Sequence, residues 1–141
     1  MVGGYAAVIH GASQVTHDVD ICALIDEKEL QKLKVALKDL EPKHRMNPSF
    51  QPSLDDYPKP GQNLDNYYLK TKSGILDIIK RVDPIGDYED VKKSAITVQL
   101  FGYPCQVISL DDLIKAKSHM TRPKDKSVLQ ELLAVKAKLK S

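Results

Sequence analysis

The stretch VGGYAAVIHGASQVTHDVDICAL, residues 2–24, decides how the rest of the chain is read. Gly3 and Gly4 form a turn at the mouth of a short apolar segment, Tyr5 to Ile9, which reads as a helix. A polar connection follows, and then a run from Asp18 to Leu24 that reads as a strand. Successive side chains on a strand point to opposite faces, so Asp18 and Asp20 share one face while Val19 and Ile21 share the other. Chemistry is assigned to the first face and packing to the second.

Working outward, a third carboxylate is out of character with its surroundings. Asp77 interrupts the apolar run Gly74-Ile75-Leu76-Asp77-Ile78-Ile79, where an ionised carboxylate is costly to bury without compensation. Two like charges about 4 Å apart repel by roughly 4 kcal/mol at an effective dielectric near 20. Three converging carboxylates therefore require a cation, and their oxygen donors suit Mg²⁺ or Mn²⁺. Asp18, Asp20 and Asp77 are the candidate metal ligands and catalytic residues. A helix opening at Gly3 and Gly4 would aim backbone N–H groups at a bound phosphate, which makes both glycines candidates for phosphate binding rather than a plain tight turn. Ser13 is a further candidate phosphate donor, with turn or helix capping as the alternative.

Beyond this stretch, Leu30, Leu33, Leu37 and Leu40 recur at helical spacing and predict a helix from Glu27 to Leu40, ended by Pro42. Residues 41–66 carry five prolines and few aliphatics. They read as an irregular loop with a short turn or strand near Phe50, placed to line a cleft. Tyr67 to Thr71 and Ile75 to Lys80 predict an antiparallel hairpin whose second strand holds Asp77. Glu89 to Lys93 reads as a helical turn, and Ile96 to Leu100 with Tyr103 to Ile108 as a second hairpin that extends the sheet. Leu110 to Ser118 and Lys124 to Lys140 close the chain as helices, the latter with an apolar seam of Val128, Leu132, Val135 and Leu139.

The ordered set of a hydrophobic residue, Gly-Gly, a short helix, Asp-x-Asp on a strand and a later Asp between hydrophobic residues resembles the DNA polymerase beta-like nucleotidyltransferases. HGASQVTHDVDI, residues 10–21, is similar to a segment of the bacterial toxin and antitoxin type, including the abortive-infection toxin group. Ser109-Leu110-Asp111-Asp112-Leu113-Ile114-Lys115-Ala116-Lys117 and Thr121-Arg122-Pro123-Lys124-Asp125 resemble the helix pair that closes the minimal domain there. The resemblance covers residues 2–135. It implies an α+β fold, a mixed and mostly antiparallel sheet flanked by helices, in a single nucleotidyltransferase-like domain over residues 1–141. It also implies a metal-dependent transfer of an NMP from an NTP to a hydroxyl on RNA, protein or a small molecule, with a cognate toxin or antitoxin as partner. Asp77 would help deprotonate the acceptor hydroxyl. Lys115, Lys117 and Arg122, with Lys124, are candidates for neutralising the triphosphate or an acceptor backbone, the alternative being an ordinary basic helix face. Thr16 is similar to the Thr preceding the acidic pair in relatives.

Three departures accompany it. Gln14 stands where many relatives carry Arg, which removes a cationic fork suited to phosphate, and Thr121 stands where they carry Gly. Relatives also have a helix and most of a strand before Gly-Gly, whereas this chain begins at Met1, so the expected fold lacks the usual N-terminal helix. An uncovered sheet edge invites pairing with another chain, hence an expected homodimer. Gln14 and the short start motivate the alternative of a non-catalytic nucleotide- or partner-binding module of the same fold.

Composition bounds these readings. The 141 residues suffice for one domain with a real core, and 42% hydrophobic with 28% charged residues is the balance of a soluble globular protein. No apolar run approaches the roughly 18 residues needed to span a membrane, and the start lacks the basic flank and apolar segment of a signal peptide, so the expectation is a cytoplasmic protein without membrane contact. Cys22 and Cys105 show no metal-type spacing and read as buried thiols. His10 and His17 flank the site but read as surface or packed residues. Residues 111–141 hold eight Lys or Arg against four Asp or Glu; this basic end suits helix-dipole compensation first and a nucleic acid second.

Overall fold

A computed structural model describes residues 1–13 and 18–140. Among these, a four-stranded sheet runs in the order β1-β4-β3-β2, formed by β1 (Asp18–Cys22), β4 (Gly74–Ile79), β3 (Tyr67–Thr71) and β2 (Lys43–His44). Only the β1–β4 pair is parallel; β4–β3 and β3–β2 are antiparallel. With its helices this is the expected α+β arrangement with a mixed, mostly antiparallel sheet. The predicted hairpin around Asp77 is present, in register from Thr71 opposite Gly74 to Tyr67 opposite Ile78.

The sheet separates two apolar clusters. Against the face of Val19, Ile21, Leu76 and Ile78 pack Leu30, Leu33 and Leu37 of α2 (Glu27–Leu37), with Leu54 and Leu64 from the Pro-rich segment. The opposite face meets α1 (Gly3–Ile9), α4 (Leu110–His119) and α5 (Pro123–Lys140) through Val2, Ala6, Ala7, Leu113, Ala116, Val128 and Leu132, with Cys22 and Ile79 at its margin. Fully burying one such aliphatic side chain contributes about 1.5–3 kcal/mol, so each face anchors its helices independently.

Local signals fix the ends. Asp26 caps α2 by accepting from Glu29 N at 2.8 Å, and a 3-10 turn, Lys38–Leu40, carries the chain to Glu41 in the left-handed region and then Pro42. Asp87 and Asp90 cap α3 (Tyr88–Lys92) reciprocally, and Ser109 caps α4. The expected helix at Tyr5 starts two residues earlier, at Gly3, and the strand from Asp18 ends at Cys22 rather than Leu24. The seam of α5 is buried at Val128 and Leu132, but Leu139 is exposed.

The Pro-rich segment is more ordered than its composition suggests. It supplies β2, and its Lys43 and Asn47 form bridges to Ser53 and Phe50. A small hairpin, β5 (Arg81–Val82) with β6 (Gly86–Asp87), was not legible in the sequence. The hairpin β7 (Ile96–Leu100) and β8 (Tyr103–Val107) forms its own two-stranded sheet rather than extending the larger one. Met1 and Val2 connect the two sheets: Val2 N donates to Asp20 O at 2.9 Å, while Met1 O accepts from Ile108 N at 3.0 Å. The outer side of β1 is thus partly covered by Val2. No helix among the described residues is long and apolar enough to cross a membrane.

Candidate functional site

The parallel register sets Asp20 directly beside Asp77, on strands about 4.8 Å apart. Asp18 lies two residues before Asp20 and therefore on the same face. On the far side of β4, Tyr68 pairs with Asp77, and Arg45 N donates to Tyr68 O at 3.1 Å just beyond β2. A transverse row results, Asp20, Asp77, Tyr68 and Arg45, assembled from four segments distant in sequence.

The Asp20 carboxylate lies against Gly3. That glycine has φ +73°, and a Cβ added to it would come within 2.1 Å of Asp20 Oδ2. A bare backbone is what lets the carboxylate sit there. Burial, then the charges of Asp77 and Asp18, push the Asp20 carboxyl above its ordinary range, against smaller opposing effects of Lys117 and Arg45. Asp20 is thus a carboxylate disfavoured in its charged form by burial and by its acidic neighbours.

Cations approach from two directions. Arg45 donates from Nε and Nη2 to the two carboxylate oxygens of Asp77, at 3.2 and 2.5 Å, with its guanidinium 5.8 Å from the Tyr68 ring centre. From the helices, buried Lys117 places Nζ 3.0 Å from Asp125 Oδ1, and exposed Arg122 donates from Nε to Asp125 Oδ2 at 2.7 Å. Burial pushes the Asp125 carboxyl up, but the hydrogen bonds from Arg122 and Lys117, with their charges, hold it below the carboxylate range. Lys117 and Arg122 also feel Asp20.

Of the other expected site residues, Lys115 and Ser13 lie away from this row and Gly4 stays beside Gly3. Lys115 is exposed on α4, where its charge acts on Asp111 beside Lys136. Ser13 donates from its hydroxyl and its backbone N–H to the Glu131 carboxylate, at 2.9 and 2.8 Å, tying the end of the first loop to α5. Gly4 follows Gly3 in the first turn of α1. His10 gives its Nε2 proton to Ile108 O at 2.7 Å, which makes it a brace between α1 and the end of β8. Gln14, Thr16 and His17 lie outside the described residues.

The donor set fits a hard divalent cation, since Asp18 and Asp20 offer carboxylate oxygens and Asp20 gains from added positive charge. Among the described residues, however, no group of three or more His, Cys, Asp or Glu side chains is gathered so as to hold a metal ion; both oxygens of Asp77 face Arg45. Sequence reasoning missed Arg45 and Asp125. Arg45 is the lone Arg within the Pro-rich segment, and Asp125 stands three residues after Arg122, the spacing of a helical ion pair; both signals were present but ambiguous. In comparisons with known proteins, no family model matches the chain and no curated protein matches it significantly.

Proposed function

We propose that the chain is a metal-dependent nucleotidyltransferase of the DNA polymerase beta-like type, moving an NMP from an NTP to a hydroxyl on RNA, protein or a small molecule. The observation that carries this reading is the in-register pairing of Asp20 with Asp77, with Asp18 on the same face and the Asp20 carboxyl raised by burial and by both acids. Asp18 and Asp20, joined by Asp77 once Arg45 leaves it, would hold Mg²⁺ or Mn²⁺, which when bound would supply positive charge to the triphosphate. Lys117, steadied by Asp125, and Arg122 add charge where pyrophosphate departs. Asp77 takes the proton of the acceptor hydroxyl. That oxygen bonds to the α-phosphorus, and the α–β anhydride bond breaks with its electron pair leaving on pyrophosphate.

The test is a transfer assay with each α-labelled NTP, Mg²⁺ or Mn²⁺, and total RNA or protein as acceptor, beside a folded Asp18→Ala/Asp20→Ala double variant. Label incorporated by the wild type alone is the expected result. Equal label from both proteins would remove the proposal.

A second reading, a non-catalytic nucleotide- or partner-binding module, draws on the Arg45–Asp77 pair, which neutralises one of the acids from within the chain. It predicts NTP or partner-protein binding without turnover. A cognate toxin or antitoxin belongs to either reading.

A further inference from the structure

We infer that Arg45 is a resident counter-ion of the acidic face, and that a divalent cation has to displace its guanidinium from Asp77 to recruit that carboxylate. The inference rests on the metal-dependent reading of the same face. Three observations carry it. The contact is two-pronged, Nε and Nη2 on the two oxygens of one carboxylate, the geometry in which Arg binds carboxylates best. It is sheltered, with side-chain exposures of 27% for Arg45 and 14% for Asp77. Its base is fixed: Arg45 N donates to Tyr68 O at 3.1 Å, and Gln51 Nε2 donates to Arg45 O at 3.3 Å.

The backbone of Arg45 is tied to the sheet and only its side chain engages Asp77, so the guanidinium can leave without breaking the sheet. The guanidinium lies 5.8 Å from the Tyr68 ring centre, an aromatic surface that attracts a cation. Arg45 and the metal thus serve one need, positive charge beside Asp20 and Asp77, and each weakens the other's hold. The Pro-rich segment consequently sets the metal concentration at which the site fills. Without Arg45 the three acids would repel one another and take up a divalent ion more readily.

The experiment is a titration of nucleotide-free protein with Mn²⁺, free ion being read from its electron paramagnetic resonance signal. Wild type, Arg45→Gln, Arg45→Lys and the Asp18→Ala/Asp20→Ala variant are compared after circular dichroism has shown each to be folded. Arg45→Gln is expected to bind Mn²⁺ about tenfold more tightly than wild type, the loss of one charge-assisted pair. Arg45→Lys, keeping the charge without the fork, falls between them, and the double Asp variant binds least. In wild type, Mg²⁺ addition should also shift the Arg45 Nε–H resonance. Equal or weaker binding by Arg45→Gln overturns the exchange while leaving metal binding by Asp18 and Asp20 standing. No binding by any protein overturns both the exchange and the metal-dependent reading.

Discussion

Asp20 and Asp125 share two cationic neighbours, Lys117 and Arg122, yet their carboxyls move in opposite directions. Asp125 is 1% exposed, and burial pushes its carboxyl up. It is nevertheless held low, because both cations touch it through charge-assisted hydrogen bonds. Asp20 feels the same cations only through space, while Asp77 and Asp18 repel it. Direct contact outweighs a screened field. The Asp125 carboxylate is electrostatically satisfied and holds Lys117 and Arg122 in place; the Asp20 face has a use for imported charge.

The largest effect expected from this contrast is at the Asp125 cluster. Asp125→Ala leaves Lys117 buried without its carboxylate, a loss of about 3 kcal/mol, or a fall of about 10 °C in the midpoint of thermal unfolding. Calorimetry would decide it, and a fall of under about 2 °C would deny the cluster its structural role. The pH dependence has a definite sign. A depressed folded-state pKa contributes stability above the ordinary value of 3.8 and loses it as pH falls through the folded one. The deficit of Asp125→Asn relative to wild type should therefore shrink in that acid window.

Next in size is the contact between Gly3 and Asp20. Gly3→Ala combines a left-handed φ with a Cβ 2.1 Å from Asp20 Oδ2, so a loss of about 2 kcal/mol is expected in urea unfolding. Transfer activity should fall with it, since the carboxylate must move. A variant as stable and active as wild type would show that the Asp20 carboxylate does not lie against Gly3.

Asp20→Asn should act in the opposite sense from Asp125→Ala, stabilising metal-free protein by about 1 kcal/mol or less while abolishing transfer. Here the folded pKa is raised, so stability is fully present below 3.8 and is lost as pH rises through the folded value. The advantage of the amide should be absent in acid and complete above that value. Unfolding curves collected across pH would expose a flat or negative difference, and with it a carboxylate that is already satisfied.

The sequence carried more of the acidic face than of its counter-charges, for a physical reason. Asp18 and Asp20 are joined by strand alternation, a local rule, and Asp77 announces itself by interrupting an aliphatic run. Their meeting follows once β1 and β4 pair in parallel. Arg45 reaches Asp77 only because β2 lies beyond β3 in the sheet, and a two-residue strand among prolines leaves almost no periodic trace. Asp125 looked like one more charge in a helical first turn; its burial depends on how α4 packs on α5. Pro42 marked the close of the helical region, but the change from α2 to a 3-10 turn at Lys38, short of the expected end at Leu40, left no mark in the sequence. The separation of β7–β8 from the main sheet was not legible either, because hairpin patterns fix a partner strand and leave the neighbours of the pair undetermined.

The smallest expected effect sharpens the assignment of α4. Lys115 and Lys117 are two residues apart, hence roughly 200° apart around a helix, and read alike in the sequence. One is exposed and engaged electrostatically with Asp111, the other buried against Asp125. Lys115→Ala should change stability by less than about 0.5 kcal/mol, as surface substitutions do, and leave transfer close to wild type. Lys117→Ala should lower transfer strongly and raise the KM for NTP. If the two variants lost activity equally, the triphosphate would have to be reached from the outer face of α4, on which Asp20 does not lie. The contrast between a satisfied carboxylate and an open acidic face would then no longer describe where the substrate sits.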